Sequence, residues 1–191
     1  MAIRNKNQLH DFFDHGFHLE SRTIYLGPET NGHTFEKVLK GLHLLVLDNQ
    51  EKPITIHMNN CGGDVFDGFA TYDAIKSCPC QVVIEVFGQA SSMGSIILQA
   101  ADRRIIHQNA IVMIHDGMES FEGDPRSFEN WARFSKKILR PRTYQIYSNR
   151  SGKDELFWER KCASDYIMTA EEAVELGLAD EIKKQFEPAK E

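Results

Sequence analysis

The chain has no apolar run long enough to cross a bilayer, no basic surplus and few cysteines, and each absence narrows what it can do. Its longest apolar segments fall far short of the roughly 20 residues a membrane helix needs. The start, Met1 to Phe13, mixes Arg4, Lys6, His10 and Asp11 with scattered apolar residues and lacks the continuous core of a signal peptide. A soluble, cytoplasmic protein with no membrane partner is expected. A formal net charge of -6 argues against a nucleic-acid-binding surface, which would show a basic stripe. The four cysteines, Cys61, Cys78, Cys80 and Cys162, lack the spacing of a zinc site, because Cys78-Pro79-Cys80 is too close for a zinc knuckle and has no histidine pair nearby. Reduced thiols and no metal are expected. There is also no internal repeat and no low-complexity stretch. What remains is a chain of 191 residues, 41% hydrophobic and 26% charged, which fits one globular domain over 1–191.

Apolar periodicity then predicts alternating strands and helices. Thr23 to Leu26 reads as a strand, and Phe35, Val38, Leu39, Leu42 and Leu45 recur at helical spacing up to about Asp48. Ile54 to Met58 is a second strand, followed by the polar turn Asn59-Asn60-Cys61-Gly62-Gly63-Asp64 and a helix predicted to bury Phe66, Phe69, Ala70 and Ala74. Val82 to Phe87 is a third strand, and Arg104 to Ile106 and Ala110 to Ile114 are two more across the turn His107-Gln108-Asn109. Repeated strand–turn–helix units imply right-handed crossovers and a mainly parallel sheet, so the fold class is α/β. Asp124-Pro125 opens a long helix through Phe128, Trp131, Phe134 and Ile138, which Pro141 should kink or interrupt. Thr169-Ala170-Glu171-Glu172 is a capping box for a last helix closed by Gly177. Residues 183–191 read as a charged, frayed tail.

The chemistry concentrates at Gly88-Gln89-Ala90-Ser91-Ser92-Met93-Gly94, which sets a serine between a Val/Ile-rich strand and an apolar helix. A hydroxyl there is exposed, near the positive end of a helix dipole and beside glycines that admit a substrate backbone. Such a serine also serves as a plain N-cap. A nucleophile needs a base, and the base needs an orienting group. His115 closes the strand Ala110 to Ile114 at a sheet end, where a cleft forms. Asp165, in the irregular Ala163 to Met168 segment between two helices, is the natural carboxylate for it. Asp116 is a poor one, because neighbours on an extended strand point to opposite faces. Oxyanion donors are available from the Gly62-Gly63 loop and from the amide of Met93.

Together these residues resemble the ClpP type of self-compartmentalised serine peptidase, within the wider ClpP and crotonase fold. The likeness rests on Met58-Asn59-Asn60-Cys61-Gly62-Gly63, on Gly88 to Gly94, on Val112-Met113-Ile114-His115, and on Asp165 with Thr169 to Leu178, and it covers roughly Thr23 to Ile182 in the family's order. The resemblance implies repeated ββα units with a protruding handle helix. It makes Ser92 the nucleophile, His115 the general base and acid, and Asp165 the group that fixes the imidazole, with Gly63 and Met93 as the oxyanion amides. It places Phe121, Glu122 and Gly123 in the groove that binds substrate as an extended strand. It further implies stacked seven-membered rings, a tetradecamer, and no cofactor in the chain itself, ATP being used only by a partner AAA+ unfoldase.

The sequence departs from the family pattern at several points. Cys61 stands where the family has a proline, Met118-Glu119-Ser120 replaces a glycine-rich substrate strand, and Pro141 enters the long helix. Thr55, His57 and Ser77 occupy positions that are aromatic where family members dock their unfoldases, and Met1 to Ser21 differs from the usual apolar start. These departures keep other readings open: a relative that processes one dedicated protein without an unfoldase, as phage head-maturation and signal-peptide peptidases do, a non-catalytic ring subunit, or a crotonase-type acyl-CoA enzyme.

Overall fold

The structure, a computed structural model, describes residues 16–117 and 124–183. Strand β1 (Phe17–His18) pairs antiparallel with β2 (Thr23–Leu26), which runs parallel to β3 (Ile54–Asn60). Next comes β4 (Val82–Ser91), then β5 (Arg103–His107) and β8 (Glu181–Lys183), all parallel. The α/β class and the mainly parallel sheet expected from the periodicity are both present.

One feature of this sheet positions everything else. The third strand does not stop at Phe87, as its Val/Ile run suggested, but continues to Ser91. Its first half, Val83 to Val86, pairs with β5, and its second half, Gln89 to Ser91, pairs with β6 (Ile111–Ile114). At the change of partner the register against β3 slips, from Met58 opposite Val86 to Asn60 opposite Ala90. The extra residues bend β4 away from β5. β6 in turn pairs antiparallel with β7 (Tyr166–Met168), a strand inside a segment expected to be irregular.

Helices cover the sheet. α1 (Gly32–Asp48) is capped by Asn31, whose side chain accepts from the Thr34 amide at 3.0 Å, and it buries Val38, Leu42 and Leu45 as its periodicity predicted. α2 (Val65–Lys76) starts at the Asp64 cap, and of its predicted face Phe69 and Ala74 pack half-buried against the core, but the centre of the buried face lies beside them. Its buried residues are Gly68, Thr71 and Ile75, while Phe66 is 53% exposed. Gly68 lets this helix lie directly on Met93 of α3 (Met93–Leu98), since a methyl there would meet the Met93 Cβ at 3.1 Å. The core between the layers holds Ile54, Ile56, Ile84, Ile97, Leu98 and Trp158, all under 2% exposed.

The long helix begins at Pro125 as predicted, with the Asp124 carboxylate capping Arg126 and Ser127. α4 (Pro125–Phe134) passes through a π-helical turn, Ser135–Leu139, into α5 (Arg140–Ser151). The wide turn lies where Pro141 cannot make its bond to the carbonyl four residues back, so the interruption takes the form of an inserted residue. α6 (Glu155–Cys162), capped by Asp154, precedes β7, and α7 (Ala170–Glu175) carries the expected capping box between Thr169 and Glu172. Lys183, the first residue of the segment read as a charged tail, belongs to β8, and its ammonium reaches Glu85 at 3.3 Å. Among the described residues no helix is long and apolar enough to cross a membrane.

Candidate active site

β4 delivers two serines to its end, and the pleat separates them. Ser91 is buried and its hydroxyl donates to Gln89 Oε1 at 2.9 Å. Ser92 follows in the turn before α3 with φ 52° and ψ -122°, a conformation that non-glycine residues rarely adopt and that costs on the order of 1–3 kcal/mol. Its side chain makes no capping bond, so the plain N-cap role is not what the hydroxyl performs. The strained turn is pinned on both sides. The Ser92 amide donates to Met113 O of β6 at 2.8 Å, and the Ser95 hydroxyl donates to Ser92 O at 2.6 Å. Ser95 is itself bonded at 2.7 Å to the hydroxyl of the fully buried Tyr147. Because Ser95 spends its proton on the carbonyl, Tyr147 must donate to Ser95.

His115 arrives from the end of β6. In the antiparallel register Ile114 faces Tyr166, so the next step sets His115 beside Asp165. The sheet edge therefore brings a histidine and a carboxylate 50 residues apart into contact. His115 Nδ1 lies 2.9 Å from Asp165 Oδ1, and its Nε2 lies 2.8 Å from Ser92 Oγ. A carboxylate only accepts, so Nδ1 carries the proton and Nε2 is left to accept from Ser92. The three residues thus form one unbroken line. The imidazole is largely covered, at 21% exposure, whereas 69% of the Asp165 side chain is open. Asp116 faces elsewhere, as its strand position predicted, and accepts from Tyr144 and Arg140.

The glycine loop packs against this line. The Thr30 amide donates to Gly62 O at 2.7 Å and the Asp64 amide to Thr30 O at 2.8 Å, which is one parallel bridge around Gly63. In such a bridge the N–H of the central residue points away from its partner, so the Gly63 amide is turned outward. Gly63 sits at φ +146° and Gly62 at φ +94°, both in the region that favours glycine. A methyl on Gly62 would stand 3.1 Å from the Met93 nitrogen, which places the loop against the first amide of α3. That amide has no partner within the helix. The glycine loop and the first turn of α3, which carry the two donors anticipated from the sequence, therefore meet beside Ser92.

Sequence reasoning missed Asn60 as a functional residue. It is fully buried, its Oδ1 accepts from the Thr30 hydroxyl and the Gly62 amide, both at 2.9 Å, and its Nδ2 donates to Gly27 O at 2.8 Å. The side chain holds the loop in place of a backbone ladder, and the signal was an asparagine closing an apolar strand just before two glycines. Ser95 and Tyr147 were also missed, since each looks like an ordinary helix residue. Beside Ser92 and His115 lies a pocket walled by Val65, Met93, Ile96, Trp131, Leu139 and Thr143. Its apolar walls suit an apolar side chain. The predicted groove residues Phe121, Glu122 and Gly123 lie outside the described residues. Burial and the nearby Asp116 charge push the Cys162 thiol up to about 12, which makes it inert as a competing nucleophile.

The arrangement can carry out acyl transfer. It has an aligned hydroxyl and a base with a fixed tautomer, set beside a glycine loop that packs against the first amide of α3. A family model described as Clp protease matches residues 6–186 of the chain. A relative from Deinococcus radiodurans, described as an ATP-dependent Clp protease proteolytic subunit, is 32% identical over 169 residues, covering 87% of this chain and 82% of its own.

Proposed function

The chain belongs to the Clp protease family and is a serine-type peptidase, and on that premise we propose that it cleaves unfolded or extended polypeptides at Ser92 within a self-made chamber. His115 takes the Ser92 proton as the hydroxyl attacks the scissile carbonyl. The oxyanion that forms is held by the amides of Gly63 and Met93, each worth about 3 kcal/mol of transition-state stabilisation. His115 then returns the proton to the leaving amine, water repeats the cycle on the acyl-enzyme, and Asp165 holds the imidazole throughout. The chain needs no cofactor for these steps. The observation that carries the reading is the unbroken hydrogen-bond line from Ser92 to His115 to Asp165 at 2.8 and 2.9 Å, mounted on a strained turn.

Assembly has independent support in α4, which has no buried residue in the single chain and leaves Phe128 47% and Phe134 40% exposed, with Ile138 of the following π-helical turn 38% exposed. Such a face is costly in water, and a second copy of the chain covers it in the stacked heptameric rings that the family likeness implies. A partner ATPase, consuming ATP in the cytoplasm, would press an apolar segment into the pocket of Tyr25, Leu26, His57, Met58 and Phe87. Replacing Ser92 with Ala should lower hydrolysis of an unfolded protein by about 10⁶-fold, below detection. Ser91→Ala should leave it within a few-fold, and activity lost with Ser91 but kept without Ser92 would refute the assignment.

A further inference from the structure

Asp116 follows His115 directly and is tied down from three sides. Its amide donates to Cys162 O at 2.8 Å, linking the end of β6 to the end of α6, just before Asp165. Its carboxylate accepts from the Tyr144 hydroxyl at 2.5 Å and from Arg140 Nη1 at 3.3 Å. Arg140 and Tyr144 stand four residues apart on α5 and so share one face. Asp116 and Arg140 themselves line the pocket beside Ser92, together with Thr143 and Tyr147 of the adjoining face. The π-helical turn at Ser135–Leu139 precedes both faces and sets their phase relative to α4. Tyr144 is only 7% exposed, and burial, followed by the hydrogen bond to Asp116 and then its charge, holds its titration well above the usual range, so it keeps the proton it donates.

We propose that Asp116, gripped by Tyr144 and Arg140, is a positioning residue that fixes the direction in which β6 presents His115 to Ser92 and makes that direction depend on where α5 lies. Successive side chains of an extended segment leave on opposite sides, so a grip on Asp116 sets the roll of the chain and with it the imidazole. Catalytic constellations tolerate about 0.5 Å of error, and a misplacement of about 1 Å costs roughly 10²-fold. The inference rests on the Ser92–His115 reading above. Through the continuous α4–α5 helix it would let a contact on α4 reach the base.

The test is kinetic, on the full chain, with a fluorogenic peptide and with melting temperature and native mass recorded for each variant. Asp116→Ala should lower kcat by about 30–100-fold with KM within about twofold. Asp116→Asn, which still accepts from Tyr144, should recover activity to within about fivefold, and Tyr144→Phe should fall between them. Because both residues act through one contact, the Asp116→Ala/Tyr144→Phe double variant should be no worse than Asp116→Ala alone. The proposal is overturned if kcat in Asp116→Ala stays within about threefold, if the two losses multiply, or if the whole effect appears in KM or in assembly mass. If Asp116→Ala does not fold, Tyr144→Phe decides: an unchanged kcat refutes the clamp. Ser92→Ala measured alongside separates the two readings. Hydrolysis surviving in it sinks the active-site assignment, whereas its loss with silent Asp116 variants sinks only the clamp.

Discussion

Replacing Gly62 with Ala should disable the peptidase without unfolding it. The new methyl would stand 2.7 Å from Ser92 Cβ and 2.9 Å from Ser91 O, both fixed by β4 and its bonds to β6. Neither neighbour is the free end of a flexible side chain, so the loop itself must retreat. Reaching an ordinary 3.4 Å contact takes about 0.7 Å. The backbone at φ +94° adds strain for any side chain. A donor that held an oxyanion at about 2.9 Å would then stand near 3.6 Å, beyond hydrogen-bond reach. Losing the Gly63 donor alone predicts a fall in kcat of about 10²–10³-fold. The assay is steady-state cleavage of a fluorogenic peptide, with melting temperature and native mass as controls. A folded, assembled Gly62→Ala protein with kcat within about threefold of the parent would refute the oxyanion role of this loop.

Asp165→Asn would present an amide donor to Nδ1 and favour the wrong tautomer; because 69% of the side chain is solvated, the loss in kcat should be about 10³-fold, and a loss below tenfold would contradict the orienting role. Asp180 tests the fold through pH. Burial raises its carboxyl, but hydrogen bonds and charge from the buried Arg104 outweigh that and leave it below the usual range. A lowered folded value means the stabilisation is present above about pH 4 and is lost as pH falls through the folded value. With the carboxylate partly solvated and its charge screened, Asp180→Asn should therefore cost about 1 kcal/mol at neutral pH, and the gap in melting temperature should close in acid; a pH-independent gap would contradict it. Ile138→Glu, on the exposed face beyond α4, should lower the assembly mass seen by native mass spectrometry, and an unchanged mass would argue against that contact.

The site was legible in the sequence to the extent that it depends on chain order. Ser92 and His115 each follow a strand with a readable period, so reading the strands located them, whereas Asp165 stood in a segment read as irregular and was picked as the carboxylate between two helices. The line itself depends on two features without a local signature. One is the slip in β4 at Phe87 to Gly88, which redirects the strand onto β6. The other is β7, whose three residues are too short to show alternation yet carry Asp165 to His115. The centre of the buried face of α2 was illegible for a related reason: apolar periodicity counts Phe66, which is exposed, but the closest packing depends on Gly68, whose missing side chain lets Met93 approach. Supports that act through one hydrogen bond, such as Asn60, Ser95 and Tyr147, carry no pattern, because their meaning comes from partners distant in the chain.

The central claim is that one hydroxyl, Ser92, is the nucleophile. Reaction of the intact protein with a fluorophosphonate, followed by mass mapping of the modified peptide, tests it most directly. The account predicts a single adduct per chain, located on Ser92 and absent when His115 is replaced by Ala. An adduct on Ser91 or Ser95, or none on a folded and assembled protein, would contradict it.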